Sequence, residues 1–152
     1  MKQFRLSICL VLIMSASYSQ TCETREKHLL SAIGSFSATS LYNTYALIGA
    51  IGDGFGADVY DVTTANAILA EQEKLLENLA KVLTDLNKGK YLAEPDDSTY
   101  AASAIPILNG LKKQSQLLRE YIKDKIQKKL DAFEAQRTTN WKKISELMGI
   151  DD

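Results

Sequence analysis

The chain has 152 residues, of which 45% are hydrophobic, and its 18 basic and 19 acidic residues give a net charge of −1. This length fits a single domain, and the near balance of charge provides no basic surplus for nucleic-acid binding. One histidine and two cysteines are too few for the usual structural zinc sites. We therefore expect no nucleic-acid partner, no metal and no cofactor.

Residues 1–19 have the three parts of a secretory signal peptide. A basic start precedes an uncharged apolar run over residues 6–14, and a small polar stretch follows. The run is too short to span a bilayer permanently, and Ser17 and Ser19 are the small residues that signal peptidase accepts. We predict cleavage after Ser19, which releases a single domain of residues 20–152 into the periplasm or the extracellular space.

The predicted cleavage removes Cys9 and leaves Cys22 as the single cysteine of the mature chain. An internal disulfide is then impossible, whereas an oxidising compartment permits a bridge between two chains. Two interpretations remain open: Cys22 forms an intermolecular disulfide, or it is an unimportant thiol near a frayed N-terminus.

A first helix is predicted over residues 24–51, where apolar residues recur at helical spacing. No residue from Leu29 to Gly52 is charged, and many are small. A helix without a charged face is typically buried, so we expect this helix to be buried on most sides. Insertion of Leu29–Gly52 into a membrane is the less favoured alternative, because hydroxyl and amide side chains cluster at its centre. Alternate glycines from Gly52 to Gly56 are predicted to break the helix.

A second helix over residues 62–86 has the clearest periodicity in the chain. One apolar stripe advances in steps of three and four, and Ile68, Leu75 and Val82 form a parallel column beside it. Two apolar columns favour a bundle helix that packs against two neighbours.

The ends of the helices also have sequence signals. Asp58 or Asp61 is expected to cap the second helix, and Gly89 to end it in the left-handed conformation. Asp97 or Ser98 is expected to cap the third helix.

The third helix is predicted to reach Arg137, because its apolar residues stay on one face up to that point. The amphipathic segment 138–149 either continues this helix or folds back as a short fourth one, with Thr139 or Asn140 as its cap and Gly149 as its end. No segment alternates at the period of a strand. The predicted fold class is all-α: an antiparallel, up-down-up-down-like bundle of three long helices and a short C-terminal helix.

Charge is distributed unevenly along the mature chain. Ten basic and four acidic residues lie between Lys112 and Lys143, whereas residues 20–109 contain twice as many acidic as basic residues. We expect the basic helix to lie against the acidic second helix or to be solvated. Contact with a polyanion or an acidic lipid surface is the less favoured alternative.

Residues for catalysis or metal binding do not form a recognisable set. His28 is the single histidine, and the cluster of Cys22, Glu23 and Glu26 around it does not place four donors on one side of a helix. Residues 53–61 lack the alternating ligands and the closing glutamate of a calcium loop. We predict a protein with no catalytic residues.

Aromatic residues are the remaining candidates for a binding site, because tyrosine and tryptophan are favoured at interfaces. Tyr42, Tyr45, Tyr121 and Trp141 are the predicted interaction residues, although partial burial within the bundle explains the tyrosines equally well. The predicted function is a protein-interaction or scaffold module that binds itself or another protein. The alternatives are a membrane-associated bundle and a small-ligand pocket near Tyr42, Asn43 and Tyr45.

Overall fold

The computed structural model describes the backbone of residues 2–92 and 94–150, and the side chains of residues 24–92 and 94–150. Every element of this described part is an α-helix: α1 (Lys2–Gly56), α2 (Val62–Lys88), α3 (Pro95–Asp124) and α4 (Gln127–Met148). The chain divides into two compact units, Met1–Phe36 and Ser37–Asp152. The predicted signal peptide and Cys22 lie outside the residues whose side chains are described, so both stay predictions.

Within the unit Ser37–Asp152, the four helices pack as an up-down-up-down bundle, which confirms the predicted all-α fold class. Short loops join successive helices, and such loops favour antiparallel neighbours. α1 also lies beside α4, which closes the bundle. Side-chain pairs that show this arrangement are Asn66–Arg119 and Glu77–Lys112 between α2 and α3, Gln114–Asn140 between α3 and α4, and Tyr45–Trp141 and Asp53–Arg137 between α1 and α4.

The bundle core is mainly aliphatic, and every helix contributes to it. The apolar columns predicted from helical spacing supply most of these side chains, including Leu69 and Leu76 of α2. The largest apolar side chains that are less than 2% exposed are Ile48, Ile51, Leu69, Leu108, Leu111, Leu118, Ile122, Phe133 and Ile144.

A short polar network interrupts this core between α3 and α4. Asn140 and Gln114 are fully buried, and Asn140 donates a hydrogen bond to Gln114 Oε1 at 2.8 Å. Gln136 donates to Asn140 Oδ1 at 2.9 Å. Asn140 was expected as a helix cap, but it lies inside α4, where its side chain faces α3. Gln114 Nε2 has no hydrogen-bond partner among the described residues.

The prediction that α1 is buried on most sides is wrong. In the unit Ser37–Asp152, Leu41, Ile48 and Ile51 face the core, whereas Tyr42 and Leu47 are 41% and 39% exposed. The absence of charge in this helix therefore does not result from burial inside its own bundle.

The third helix ends at Asp124 rather than at Arg137. Lys125 takes a left-handed conformation (φ 54°) and its amide donates to the Tyr121 carbonyl at 2.7 Å, which stops the helix. The apolar spacing continues across this turn, and lysine rather than glycine occupies the left-handed position, so the sequence carried no stop signal. α4 is consequently a helix of 22 residues, and it includes most of segment 138–149. Gly149 ends it, as predicted.

The predicted glycine break at the end of the first helix is also wrong. α1 continues through Gly52 and Gly54 to Gly56. A Cβ on Gly54 would lie 2.7 Å from the ring of Tyr60, so this glycine lets the aromatic ring close over the helix end. Here glycine serves close packing rather than a turn.

The N-terminal cap predicted for α2 is confirmed, whereas the left-handed conformation predicted for Gly89 is wrong. Asp61 is the N-cap and accepts a hydrogen bond from the Thr64 amide at 2.6 Å, which confirms one of the two predicted caps. Gly89 has φ −72°, and the left-handed residue is the next one, Lys90 (φ 53°).

α3 begins at Pro95, ahead of the predicted caps Asp97 and Ser98. Proline suits the first turn of a helix because the missing N–H has no partner there in any case. The Ser98 hydroxyl instead donates to Asn87 Oδ1 at 2.8 Å, which ties the start of α3 to the end of α2.

Candidate interaction site on the first helix

Three of the four predicted interaction residues come together along the contact between α1 and α4. The ring of Trp141 lies 6.2 Å from the ring of Tyr42 and 5.7 Å from that of Tyr45, measured between centroids. The fourth residue, Tyr121, is not part of this cluster, because it packs edge-on against Phe55 at 6.3 Å. We call Tyr42, Tyr45 and Trp141 the aromatic cluster.

Arg137 extends the aromatic cluster towards the end of α1. A Cβ on Gly49 would lie 3.0 Å from its guanidinium, so this glycine allows the side chain to lie against the helix. The guanidinium lies 3.6 Å from Asp53 and 3.7 Å from Glu134. Partial burial lowers the pKa of Arg137, but the hydrogen bond with Tyr45 and the two carboxylates more than offset it, so the net shift is upward. Arg137 is therefore a fixed positive charge that holds α4 to α1.

Next to the aromatic cluster, α1 exposes a face with no charged residue. In the unit Ser37–Asp152 this uncharged face consists of Ser40, Asn43, Ala46, Leu47 and Ala50, all of which are exposed. The outer faces of α2, α3 and α4 instead carry exposed lysines, aspartates and glutamates. Exposed helix faces of globular proteins are normally charged or strongly polar. Between Ser40 and Ala50 the outer face of α1 is the exception in this bundle, and the exposed Asp53 follows one turn later.

The uncharged face adjoins an apolar groove between α1 and α2. Leu75 and Val82 were predicted to contact a second neighbour, but they are 60% and 53% exposed. Leu75 and Leu79 line this groove. We call these two residues and Val82, which follows further along α2, the α2 stripe. The groove has a volume of about 180 Å³, which is small beside the ~300–1,000 Å³ of typical ligand pockets. Its lining comprises Ser40, Leu41, Thr44, Gln72, Leu75, Leu76, Leu79 and Leu108.

The unit Met1–Phe36 has apolar side chains in the open as well. Leu29, Ile33 and Phe36 are 54%, 59% and 75% exposed. Their spacing of four and three residues places them on one face of a helix. No side chain from Thr24 to Phe36 is fully buried.

None of the comparisons with known proteins found a match. No protein-family model, no curated protein and no solved structure is similar to this chain. The case for any function therefore rests on the chemistry of these surfaces.

Two further features of the described residues bear on the alternative functions. No helix among them is both long enough and apolar enough to cross a membrane. No group of three or more histidine, cysteine, aspartate or glutamate side chains among them is placed to hold a metal ion.

The basic residues of α3 lie partly against the acidic α2, which was the favoured arrangement. Lys112 pairs with Glu77 at 2.9 Å, and Arg119 pairs with Glu73 at 3.2 Å. These contacts neutralise part of the basic stretch within the bundle, so less of it is available to an acidic surface.

The three residues predicted to line a small-ligand site do not line the groove between α1 and α2. Tyr42 and Tyr45 pack against Trp141, and Asn43 faces outwards.

Sequence reasoning found the aromatic residues but missed the exposed uncharged face beside them. The signal was the charge-free run from Leu29 to Gly52. That run was attributed to burial within the bundle, because a pattern of residues does not distinguish neighbours in the same chain from those in another.

Proposed function

We propose that the protein is an exported, non-enzymatic protein-interaction module that binds its partner through the uncharged face of α1. The observation that carries this proposal is the exposure of that face, from Ser40 to Ala50, without a single charged side chain. Water solvates charged helix surfaces best, so a face that lacks charge from Ser40 to Ala50 is suited to contact with a second protein.

The composition of the surroundings supports a protein as the partner. The centres of protein interfaces are depleted of charge and enriched in tyrosine, tryptophan and arginine. The uncharged face has the aromatic cluster and Arg137 on its α4 side. On its α2 side lies the stripe of Leu75, Leu79 and Val82.

The energetic gain from covering this region is substantial. Full burial of a large aliphatic side chain contributes about 1.5–3 kcal/mol. Leu47, Leu75, Leu79 and Val82 are between 37% and 60% exposed. Covering all four therefore contributes on the order of 3–6 kcal/mol, which is comparable with the lower end of the cost of association.

The proposal that the protein is exported rests only on the signal-peptide features of residues 1–19. The N-terminal sequence of the protein recovered from outside the cytoplasm tests it. We expect that sequence to begin at Gln20, whereas a chain that starts at Met1 and stays in the cytoplasm would contradict export.

Site-specific photocrosslinking tests the proposed surface. A photoreactive phenylalanine analogue replaces Ala46 on the uncharged face of α1, and in a matched control it replaces Ala135, which is exposed on α4. Irradiation of cells that make the protein should give a discrete adduct at position 46 and little at position 135. Mass spectrometry of the adduct identifies the partner chain.

The outcome at position 46 decides the proposal. An adduct with any protein chain, absent from the control, supports an interaction surface on α1. Equal labelling at both positions, or no adduct at either, would contradict it.

A further inference from the structure

We infer that the buried pair Gln114–Asn140 holds α4 at a single register against α3 and thereby positions Trp141 and Arg137 against α1. The two amides are then positioning residues of the aromatic cluster. This inference does not depend on the proposed function, because it concerns the packing that builds the site and not what covers it.

The pair lies in a largely apolar contact between α3 and α4. Both side chains are fully buried, and Asn140 donates a hydrogen bond to Gln114 Oε1 at 2.8 Å. One turn away from Gln114 on the same side of α3 are Leu111 and Leu118, which are 0% and 1% exposed. On α4, Ile144 lies one turn from Asn140 and is equally buried. The amides are thus enclosed between aliphatic layers.

Apolar contacts alone select the register of α4 only weakly. Attraction between aliphatic side chains has no direction. Apart from the level of Gln114, α3 repeats leucine or isoleucine at about every turn from Ile107 to Ile122. A displacement of α4 by one turn, about 5.4 Å, would therefore keep most of its apolar side chains against apolar side chains of α3.

The same displacement would separate the two amides. It would bring Asn140 opposite Leu111 or Leu118 and would break the hydrogen bond that joins it to Gln114. A buried amide without a partner costs more free energy than a hydrogen bond normally contributes. The pair therefore disfavours the displaced registers more than it stabilises the native one, which is how a polar residue in an apolar seam fixes register.

The register of α4 decides where two residues of the candidate site lie. Trp141 follows Asn140 directly, and its ring lies 6.2 Å from the ring of Tyr42 and 5.7 Å from that of Tyr45. Arg137 lies three residues before Asn140, and its guanidinium donates a hydrogen bond to Tyr45. A shift of one turn would carry both side chains about 5.4 Å along α1 and break these contacts.

Replacing both amides with apolar residues of similar shape tests the inference. In the full chain, Gln114→Met and Asn140→Leu together remove the hydrogen bond and leave no amide at either position. The matched control combines Leu111→Met and Ile144→Leu, which exchange buried apolar residues one turn away for others of similar volume.

Trp141 is the single tryptophan of the chain, so its spectroscopic signals report the position of α4. We expect the amide variant to stay helical by far-UV circular dichroism and to resist urea at least as well as the natural chain, because both partners are replaced together. It should nevertheless lose most of the near-UV circular dichroism of Trp141, and iodide should quench the Trp141 fluorescence more strongly. The control should match the natural chain in both tryptophan signals.

Three outcomes would overturn the inference. Unchanged tryptophan signals in the amide variant would mean that α4 keeps its place without the amides. Loss of helix in that variant would mean that the pair maintains the fold itself rather than selecting a register. An equal loss of the tryptophan signals in the control would mean that any change in this part of the core loosens α4.

Discussion

At the scale of single residues, the buried amide network between α3 and α4 depends on a glycine. Gly110 lies inside α3, where glycine is about 1 kcal/mol less favourable than alanine. A Cβ at this position would lie 2.3 Å from Asn140 Oδ1, which is far below contact distance. Gly110 therefore gives Asn140 the space to reach Gln114.

Gly110→Ala should destabilise the bundle despite its better helix propensity. The methyl group displaces a fully buried amide, and overpacking of this kind costs about 1–3 kcal/mol. Urea unfolding measures the difference. Gly56→Ala is the control, because a Cβ there meets no atom within 4 Å, and it should be neutral or slightly stabilising.

A double-mutant cycle shows whether Asn140 is the cause. In an Asn140→Ala background the obstructing oxygen is absent, so Gly110→Ala should lose most of its destabilising effect. An unchanged penalty in that background would mean that the clash with Asn140 is not what makes Gly110 necessary.

At the scale of the element, the start of α2 depends on a charged cap. The hydrogen bond that the Thr64 amide donates to Asp61 lowers the pKa of this carboxyl below its ordinary value. A carboxyl with a depressed folded-state pKa stabilises the fold above its unfolded-state pKa and loses that contribution as the pH falls through the folded-state value. The contribution of Asp61 should therefore be complete at neutral pH and decline below about pH 4.

Asp61→Asn should change this pH dependence while it preserves the cap. Asparagine caps helices as well as aspartate does but does not titrate. Thermal unfolding between pH 7 and pH 2 should show a smaller loss of stability on acidification for Asp61→Asn than for the natural chain. Asp61→Ala, which cannot cap, should be less stable than both at neutral pH. Parallel acid profiles for the natural chain and Asp61→Asn would rule out the effect.

The elements also show which parts of the fold were predictable. α2 was predicted well, because its apolar stripe and Asp61 are local signals that agree with the tertiary structure. The turn at Lys125 was not predictable, since the apolar spacing runs through it and a lysine adopts the backbone conformation that glycine usually supplies. The position of Asn140 in the core was missed for a similar reason: its partner, Gln114, is 26 residues away in the sequence.

At the scale of the whole molecule, part of the candidate site was predictable from the sequence. Tyr42, Tyr45 and Trp141 were selected by residue type, and the antiparallel packing of α1 and α4 brings them together. The exposure of the uncharged face of α1 was not predictable. A charge-free sequence is expected for a helix that its own chain covers and equally for a helix that a second chain covers. The sequence therefore does not distinguish the two cases.

The whole molecule thus has one helix whose two sides are both suited to contact with protein. The inner side of α1 supplies Leu41, Ile48 and Ile51 to the bundle core. Its outer side is uncharged from Ser40 to Ala50 and adjoins the α2 stripe. We therefore expect a second protein chain to cover this part of α1.

Photocrosslinking from position 46, combined with a charge on the same face, tests this claim most directly. We expect the photoreactive residue to give a protein adduct in the natural background. Leu47→Lys should abolish the adduct because it buries an unpaired charge in the interface, whereas Ala135→Lys, on the exposed face of α4, should leave it intact. The absence of an adduct in the natural background, or an adduct that Leu47→Lys does not weaken, would contradict the proposed interaction surface.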